Sequence, residues 1–159
     1  MPVIELTTTI EAPIDRVFDL ARSIELHTST TSNTGEHAIA GVTSGLIGPN
    51  QEVTWRAKHF GVWQNLSVRV TAFERPTHFA DVMVRGAFKR MEHNHLFESI
   101  GSGTRMRDVF SFEAPLWILG RIAESLFLTN YMRVFLVKRN LELKATAESD
   151  SWRQYLKDT

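Results

Sequence analysis

Cysteine is absent from the 159 residues, which excludes disulfides, thiolate nucleophiles and Cys-based zinc or iron–sulfur sites. An excess of charge of one sign is absent too, since 18 Lys and Arg balance 18 Asp and Glu. That balance argues against a nucleic-acid binder relying on bulk positive charge, an acidic tail or a polybasic membrane patch. Long apolar runs are missing. The longest stretch without Asp, Glu, Lys or Arg, His37–Gln51, is broken by Gly41, Gly45, Gly48 and Pro49 and could not span a bilayer. The opening MPVIELTTTIEAP has no basic segment leading into an apolar one, so no secretory signal is expected and a cytoplasmic location is. The glycine-rich Gly41–Gly48 lacks the Lys-Ser/Thr ending of a phosphate-binding loop, and neither Gly-x-Ser-x-Gly nor His-Glu-x-x-His occurs; no cofactor and no metal are expected.

What remains is one domain's worth of chain at 18.1 kDa, able to bury roughly two-thirds of its unfolded surface. The domain is expected over 1–148, with 149–159 as a tail. Val3 to Glu11 alternates as a half-buried strand does, and Ala12-Pro13 stops it. Ile14, Val17, Phe18 and Ala21 recur at helical spacing. The polar Leu26–Gly35 reads as a loop, or as a weak helical turn feeding one. His37–Val42 reads as a short strand. Five further strand-like runs follow, Glu52–Phe60, Val62–Glu74, Thr77–Arg85, Lys89–Ile100 and Thr104–Glu113. Their breaks are short, which predicts an antiparallel meander. After Pro115, Leu116 to about Ala147 predicts one long helix of roughly 45 Å. The predicted architecture is α+β: a curved antiparallel sheet of about seven strands wrapped around a long C-terminal helix, with short helices after the first strand. A hollow between sheet and helix would suit a small ligand.

Thr7-Thr8-Thr9-Ile10-Glu11-Ala12-Pro13-Ile14-Asp15-Arg16-Val17-Phe18 resembles the opening of the SRPBCC superfamily, which includes START domains, plant pollen allergens and polyketide cyclase/dehydratase-like proteins. The element order is similar to its helix-grip fold over nearly the whole chain. Phe79-x-Asp81, Arg85-Gly86-x-Phe88, His93-x-His95-x-Phe97, Gly103-Thr104-x-x-x-Asp108 and Pro115 resemble the pattern of an uncharacterised bacterial subgroup, with departures at Met83, Ala87 and Met91. The resemblance implies a cavity for a hydrophobic small molecule. It implies no particular reaction.

The strongest constellation is His95 with Asp108. If Gly101-Ser102 closes a two-residue hairpin, Ile100 faces Gly103, Glu98 faces Arg105, Phe97 faces Met106, His95 faces Asp108 and His93 faces Phe110. Met91, Phe97, Met106, Phe110 and Phe112 then share the inner face with His93, His95 and Asp108, while Glu98 and Arg105 pair on the outer one. The His-Asp pair is a self-satisfying buried pair, a ligand anchor or a general acid/base. Two same-face histidines with Asp81 or Asp108 could bind zinc, but no independent ligand motif supports it. Asp81 paired with His93 points inward, at the cost of facing Val82 and Val84 outward, so a bulge is expected there.

Trp55 and His59 share a face with Ala57, and Trp55, Trp63, Phe88 and Phe97 are large enough to decide how much of the hollow stays open. On a helical wheel, Ile118, Leu119, Ile122, Leu126, Leu136, Val137 and Leu141 form the core face, with Thr129, Asn130, Arg133 and Asn140 in or beside it. A buried Arg133 would meet Asp81, Asp108 or an anionic ligand group, or else reach past the sheet edge into water. Phe127, Leu128, Tyr131 and Phe135 fall on the opposite side, where they would be covered by the N-terminal helices or join two subunits. Three functions are consistent with this reading. They are a binding or carrier protein for a hydrophobic small molecule, a cyclase/dehydratase-type enzyme using His95 or His93, and a protein-interaction module.

Overall fold

The computed structural model describes residues 1–115 and 122–157. Strand β1 (Val3–Ile10) leads into helices α1 (Ile14–Ala21) and α2 (Ile24–Thr30). Strands β2 (His37–Gly41), β3 (Glu52–His59), β4 (Val62–Glu74), β5 (His78–Arg85), β6 (Arg90–Ile100) and β7 (Gly103–Glu113) follow, and then helix α3 (Ile122–Glu148). The seven strands make one sheet in the order β1-β7-β6-β5-β4-β3-β2. Short turns from β3 onward force neighbours to run antiparallel, which lays them down in sequence. The first strand, separated from the rest by two helices, pairs with the edge that β7 leaves open.

The β6–β7 hairpin has the expected register throughout. Ile100 faces Gly103, His95 faces Asp108 and His93 faces Phe110, and Arg105 donates to Glu98 Oε2 at 2.9 Å on the outer face. Asp81 does face His93, and the β5–β6 register is unbroken, so Val82 and Val84 point outward as that pairing requires. The expected bulge is not at that pairing. The register shifts lie on the other side of β5, against β4, between Ser67 and Val68 and between Val70 and Ala72.

The polar segment expected to be mainly loop contains a helix. Ser23 caps α2 by accepting from the Leu26 amide at 3.2 Å, and Thr28 and Thr31 return their hydroxyls to the carbonyls of Ile24 and His27. Side chains that look loop-forming in sequence here close a short helix against the core, because Ile24 and Leu26 are buried.

The interior divides into two apolar clusters. One gathers Phe18 of α1 with Phe79, Phe97, Met106, Leu143, Ala147 and Leu156. Phe18 meets Phe73, Phe79 and Phe97 edge-on at 5.3–5.5 Å, arrangements each worth about 0.5–1.5 kcal/mol beyond burial. Leu156 shows that the C-terminal segment packs on the domain, and Arg16 lies over the Trp152 ring at 4.3 Å. The other cluster joins Val53, Trp55, Val68, Val70, Met91, Phe110 and Phe112 to Leu128, Met132 and Leu136 of α3.

Helix α3 is rotated relative to the expected wheel. Its buried stripe is Leu128, Met132, Leu136, Arg139, Asn140, Leu143 and Ala147, whereas Leu126, Val137 and Leu141 are exposed. Leu128, Tyr131 and Phe135 therefore turn towards the sheet rather than outward to a second subunit, and only Phe127 of that strip is exposed. Apolar residues surround the helix, so the wheel had no unique solution; the neighbouring sheet selects the face that carries Arg139 and Asn140 inward, where Asp108 meets them. The first helical turns expected from Leu116, with Ile118 and Leu119, and the side chain of Ile122 lie outside the described residues.

Candidate functional site

Between the inner face of the sheet and α3 lies a cavity of about 210 Å³. Most of its wall is apolar: Ile24, Val53, Trp55, Leu66, Val68, Val70, Met91, Phe110, Leu128, Met132 and Leu136 line it. Besides Arg22, which pairs with Asp19, ionisable groups meet it at two places.

The first is a corner made by β5, β6, β7 and α3. Asp81, His93 and His95 reach it because strand alternation turns all three inward, and cross-strand pairing sets Asp81 beside His93 and His95 beside Asp108. His95 Nε2 bonds Asp81 Oδ1 at 3.1 Å, while its Nδ1 lies 3.0 Å from Asp108 Oδ1 as an ion contact off the line of a hydrogen bond. His93 Nε2 bonds Asp108 Oδ1 at 2.9 Å. Asn140 Nδ2 donates to Asp108 Oδ2 at 2.7 Å, and Arg139 Nη1 stands 3.8 Å from Asp108 Oδ1. Asp108 is fully buried and sits behind the imidazoles rather than on the cavity wall.

These contacts set the charges. Burial would raise the Asp108 pKa, but the His93 bond and the His95 contact overcome it and hold the carboxyl well below the usual range. Asp81 is lowered by His95 against the same opposing burial. Burial works against a charged His95 as well, yet its two carboxylate partners push its pKa up. His93 goes the other way. Burial, reinforced by the charge on His95, takes it down to about 4 despite Asp108. The two imidazoles, with ring centroids 3.8 Å apart, are thus pushed in opposite directions, His95 towards the cation and His93 towards the neutral form.

The second polar region is nearer α2. His27 Nε2 and Glu36 Oε1 are 2.6 Å apart, with the His27 ring stacked on Trp55 at 4.1 Å. Burial opposes ionisation of Glu36, but His27 outweighs it and the pKa is lowered. His59 Nδ1 and the Tyr131 hydroxyl are hydrogen-bonded at 2.7 Å. Burial lowers the His59 pKa and raises that of Tyr131.

Of the residues expected in the site, Trp55, His59, Asp81, Phe88, His93, His95 and Phe110 line the cavity together. Phe97 does not. It packs on Phe18 and Phe79 in the other cluster. Arg133 is exposed, so the arginine that faces the acidic groups is Arg139, six residues and most of two helical turns further on. Trp63 also turns outward, where the Arg56 guanidinium lies 5.4 Å from its ring. Sequence reasoning missed His27, Glu36, Tyr131, Arg139 and Asn140. The one available signal was Asn140 beside the expected stripe. His27 and Glu36 come from a polar stretch with no periodicity to reveal an inward side.

Asp81, His93 and His95 each offer one potential ligand atom, all within 4.8 Å of one another, and could approach a divalent ion. The cationic Arg139 beside them and the engagement of His95 with both aspartates work against a cation there.

No family model matches the chain, and no curated protein matches it. Solved structures do. Protein TTHA0849 from Thermus thermophilus has 19% identity over 92% of this chain and 99% of its own, with a TM-score of 0.70. A START superfamily protein from Mycobacterium smegmatis has 13% identity over 92% of this chain and 97% of its own, with a TM-score of 0.68. The di-domain ARO/CYC StfQ from the steffimycin biosynthetic pathway has 13% identity over 95% of this chain and 46% of its own, with a TM-score of 0.63. The shared feature is the helix-grip fold, an antiparallel sheet around a long C-terminal helix. Among the described residues, no helix is long and apolar enough to cross a membrane.

Proposed function

We propose, on the premise of the SRPBCC-type fold, that this protein binds and carries a hydrophobic small molecule of lipid, polyketide or aromatic type between its sheet and α3. The observation that carries this reading is the cavity. Its volume of about 210 Å³ exceeds the roughly 150 Å³ that admits a benzene ring, and its wall is mostly apolar with a few polar groups, chiefly in two regions. That is how a small-molecule site combines burial with orientation. The START and ARO/CYC neighbours lend support at the level of fold.

The test is native mass spectrometry of protein purified from its own host, followed by denaturing extraction. A stoichiometric extra mass that is released on extraction supports carriage. Leu136→Trp, which pushes an indole into the cavity, should lose that mass while the fold survives a strain of about 1–3 kcal/mol. Empty wild-type protein that also fails to bind any apolar probe would overturn the reading.

A second reading, proton transfer on a carbonyl compound, is favoured by one observation. His93 and His95 stand side by side on the cavity wall with ring centroids 3.8 Å apart, the first pushed towards the neutral form and the second towards the cation, as a base and an acid in one corner would be. His95→Ala would then abolish turnover, whereas carriage predicts only altered affinity.

A further inference from the structure

Arg139 is 6% exposed and lines the cavity, yet its Nη1 has no hydrogen-bond partner. The nearest carboxylate oxygen, on Asp108, is 3.8 Å away, beyond hydrogen-bond reach. Leaving a buried charged donor unmatched is costly, so the corner is built for an oxygen that the protein does not itself supply. We propose that the cavity ligand is a one- or two-ring apolar molecule headed by a neutral carbonyl, as in a ketone, ester or lactone, whose oxygen accepts from Arg139 Nη1. This deepens the small-molecule reading and rests on it.

The choice of a neutral head over a carboxylate follows from the charges already in place. Asp81 and Asp108 carry two negative charges. Arg139 carries one positive charge, and His95, held between the two carboxylates at 3.1 Å and 3.0 Å, is placed to take the second. The corner is therefore balanced without a ligand charge. The other charges facing the cavity are also committed, Glu36 to His27 at 2.6 Å and Arg22 to Asp19 at 2.8 Å. A ligand carboxylate would bring an uncompensated negative charge beside Asp81 in a buried setting, where charge must be paired. A carbonyl meets the donor without disturbing the balance. The ring count is set by the cavity, whose volume of about 210 Å³ exceeds the roughly 150 Å³ that admits one benzene ring.

Three probes of matched shape separate the possibilities: 2-acetylnaphthalene, 2-isopropylnaphthalene and 2-naphthoate, titrated calorimetrically at pH 7.5. The ketone should bind about 10- to 100-fold more tightly than the hydrocarbon, the worth of one hydrogen bond to a charged group, and the carboxylate should bind weakest. Arg139→Met should erase the gap between ketone and hydrocarbon while leaving hydrocarbon binding in place. Should Arg139→Met not fold, Arg139→Lys, which lacks the Nη1 position, should shrink the same gap. Equal binding of ketone and hydrocarbon to wild type would refute the carbonyl assignment and leave the apolar cavity standing, with water the partner of Arg139. Carboxylate binding tighter than the ketone would refute it in favour of an anion site. Failure of all three probes would sink the small-molecule reading, and this inference with it.

Discussion

Replacing Asp108 by alanine tests whether the buried polar corner holds the fold together as well as shaping the cavity. Asp108 is fully buried and takes 2.9 Å and 2.7 Å bonds from His93 and Asn140, with His95 Nδ1 in ion contact at 3.0 Å. Asp108→Ala strips these three groups of their acceptor and leaves Arg139 without its nearest counter-charge. Breaking a buried charged pair in this way costs about 3–5 kcal/mol. For a domain of this length each kcal/mol moves the thermal midpoint by about 2–4 °C, so a fall of roughly 6–20 °C is expected. Urea unfolding followed by circular dichroism gives the free energy directly, with an unchanged slope showing that the native state stayed compact. Asp108→Asn keeps an oxygen acceptor and nearly the same volume, so it should lose less than the alanine variant and lower the His95 pKa, readable by NMR titration. A loss below about 1 kcal/mol for Asp108→Ala would refute the reasoning, because a site relieved so cheaply was not holding charge in a dry interior.

Acid should destabilise the protein through His93. Its folded pKa, about 4, lies below the ordinary 6.5, so between these values the unfolded chain binds a proton that folded His93 refuses. Stability should therefore fall as the pH drops from 6.5 to 4, by about 3 kcal/mol in all. His95, raised instead, loses its contribution as the pH climbs through its folded value. His93→Gln should flatten most of the acid limb in urea midpoints, with His59 accounting for a smaller remainder of the same sign; an unaltered slope would contradict the assignment. Gly41 has φ +73°, and an added Cβ would stand 2.2 Å from the Glu52 carbonyl oxygen. Gly41→Ala should cost at least about 1–3 kcal/mol and loosen the β2–β3 edge, visible as faster amide exchange there; a melting temperature equal to wild type would contradict it.

The β6–β7 hairpin shows why much of the fold was legible in the chain. A two-residue turn fixes register, side chains alternate with period two, and an opposite-charge pair on one face checks the apolar residues on the other. Once Ile100 meets Gly103, His95 can only meet Asp108. The same local logic located β1, α1 and the ends of the remaining strands, because each ends at a proline, a glycine or a change of period. It left the register around Asp81 open, because pairing that residue with His93 turned two valines outward; the structure adopts that pairing.

Local logic had no purchase where several arrangements cost the chain alone about the same. Helix α3 carries Leu126, Val134, Val137 and Leu141 on one side and Leu128, Met132, Leu136 and Leu143 on the other, so periodicity could not choose the buried face. The choice was made by what lies across from it. Asp108, already committed by the hairpin, needs donors in a dry interior, and only the rotation that brings in Arg139 and Asn140 supplies them. Arg133, a sequence candidate for that role, is left in water for the same reason. His27, Glu36 and Tyr131 join the cavity because α2, the segment leading into β2, and α3 meet around it, a meeting of segments far apart in the chain. Element order, the β6–β7 register and the inward His95-Asp108 pair were readable from the residues alone, since these depend on neighbours and on alternation. Which helix face closes the cavity, how much space remains and which buried donor lacks an acceptor became visible only in three dimensions, since these depend on long-range packing and on desolvated charge.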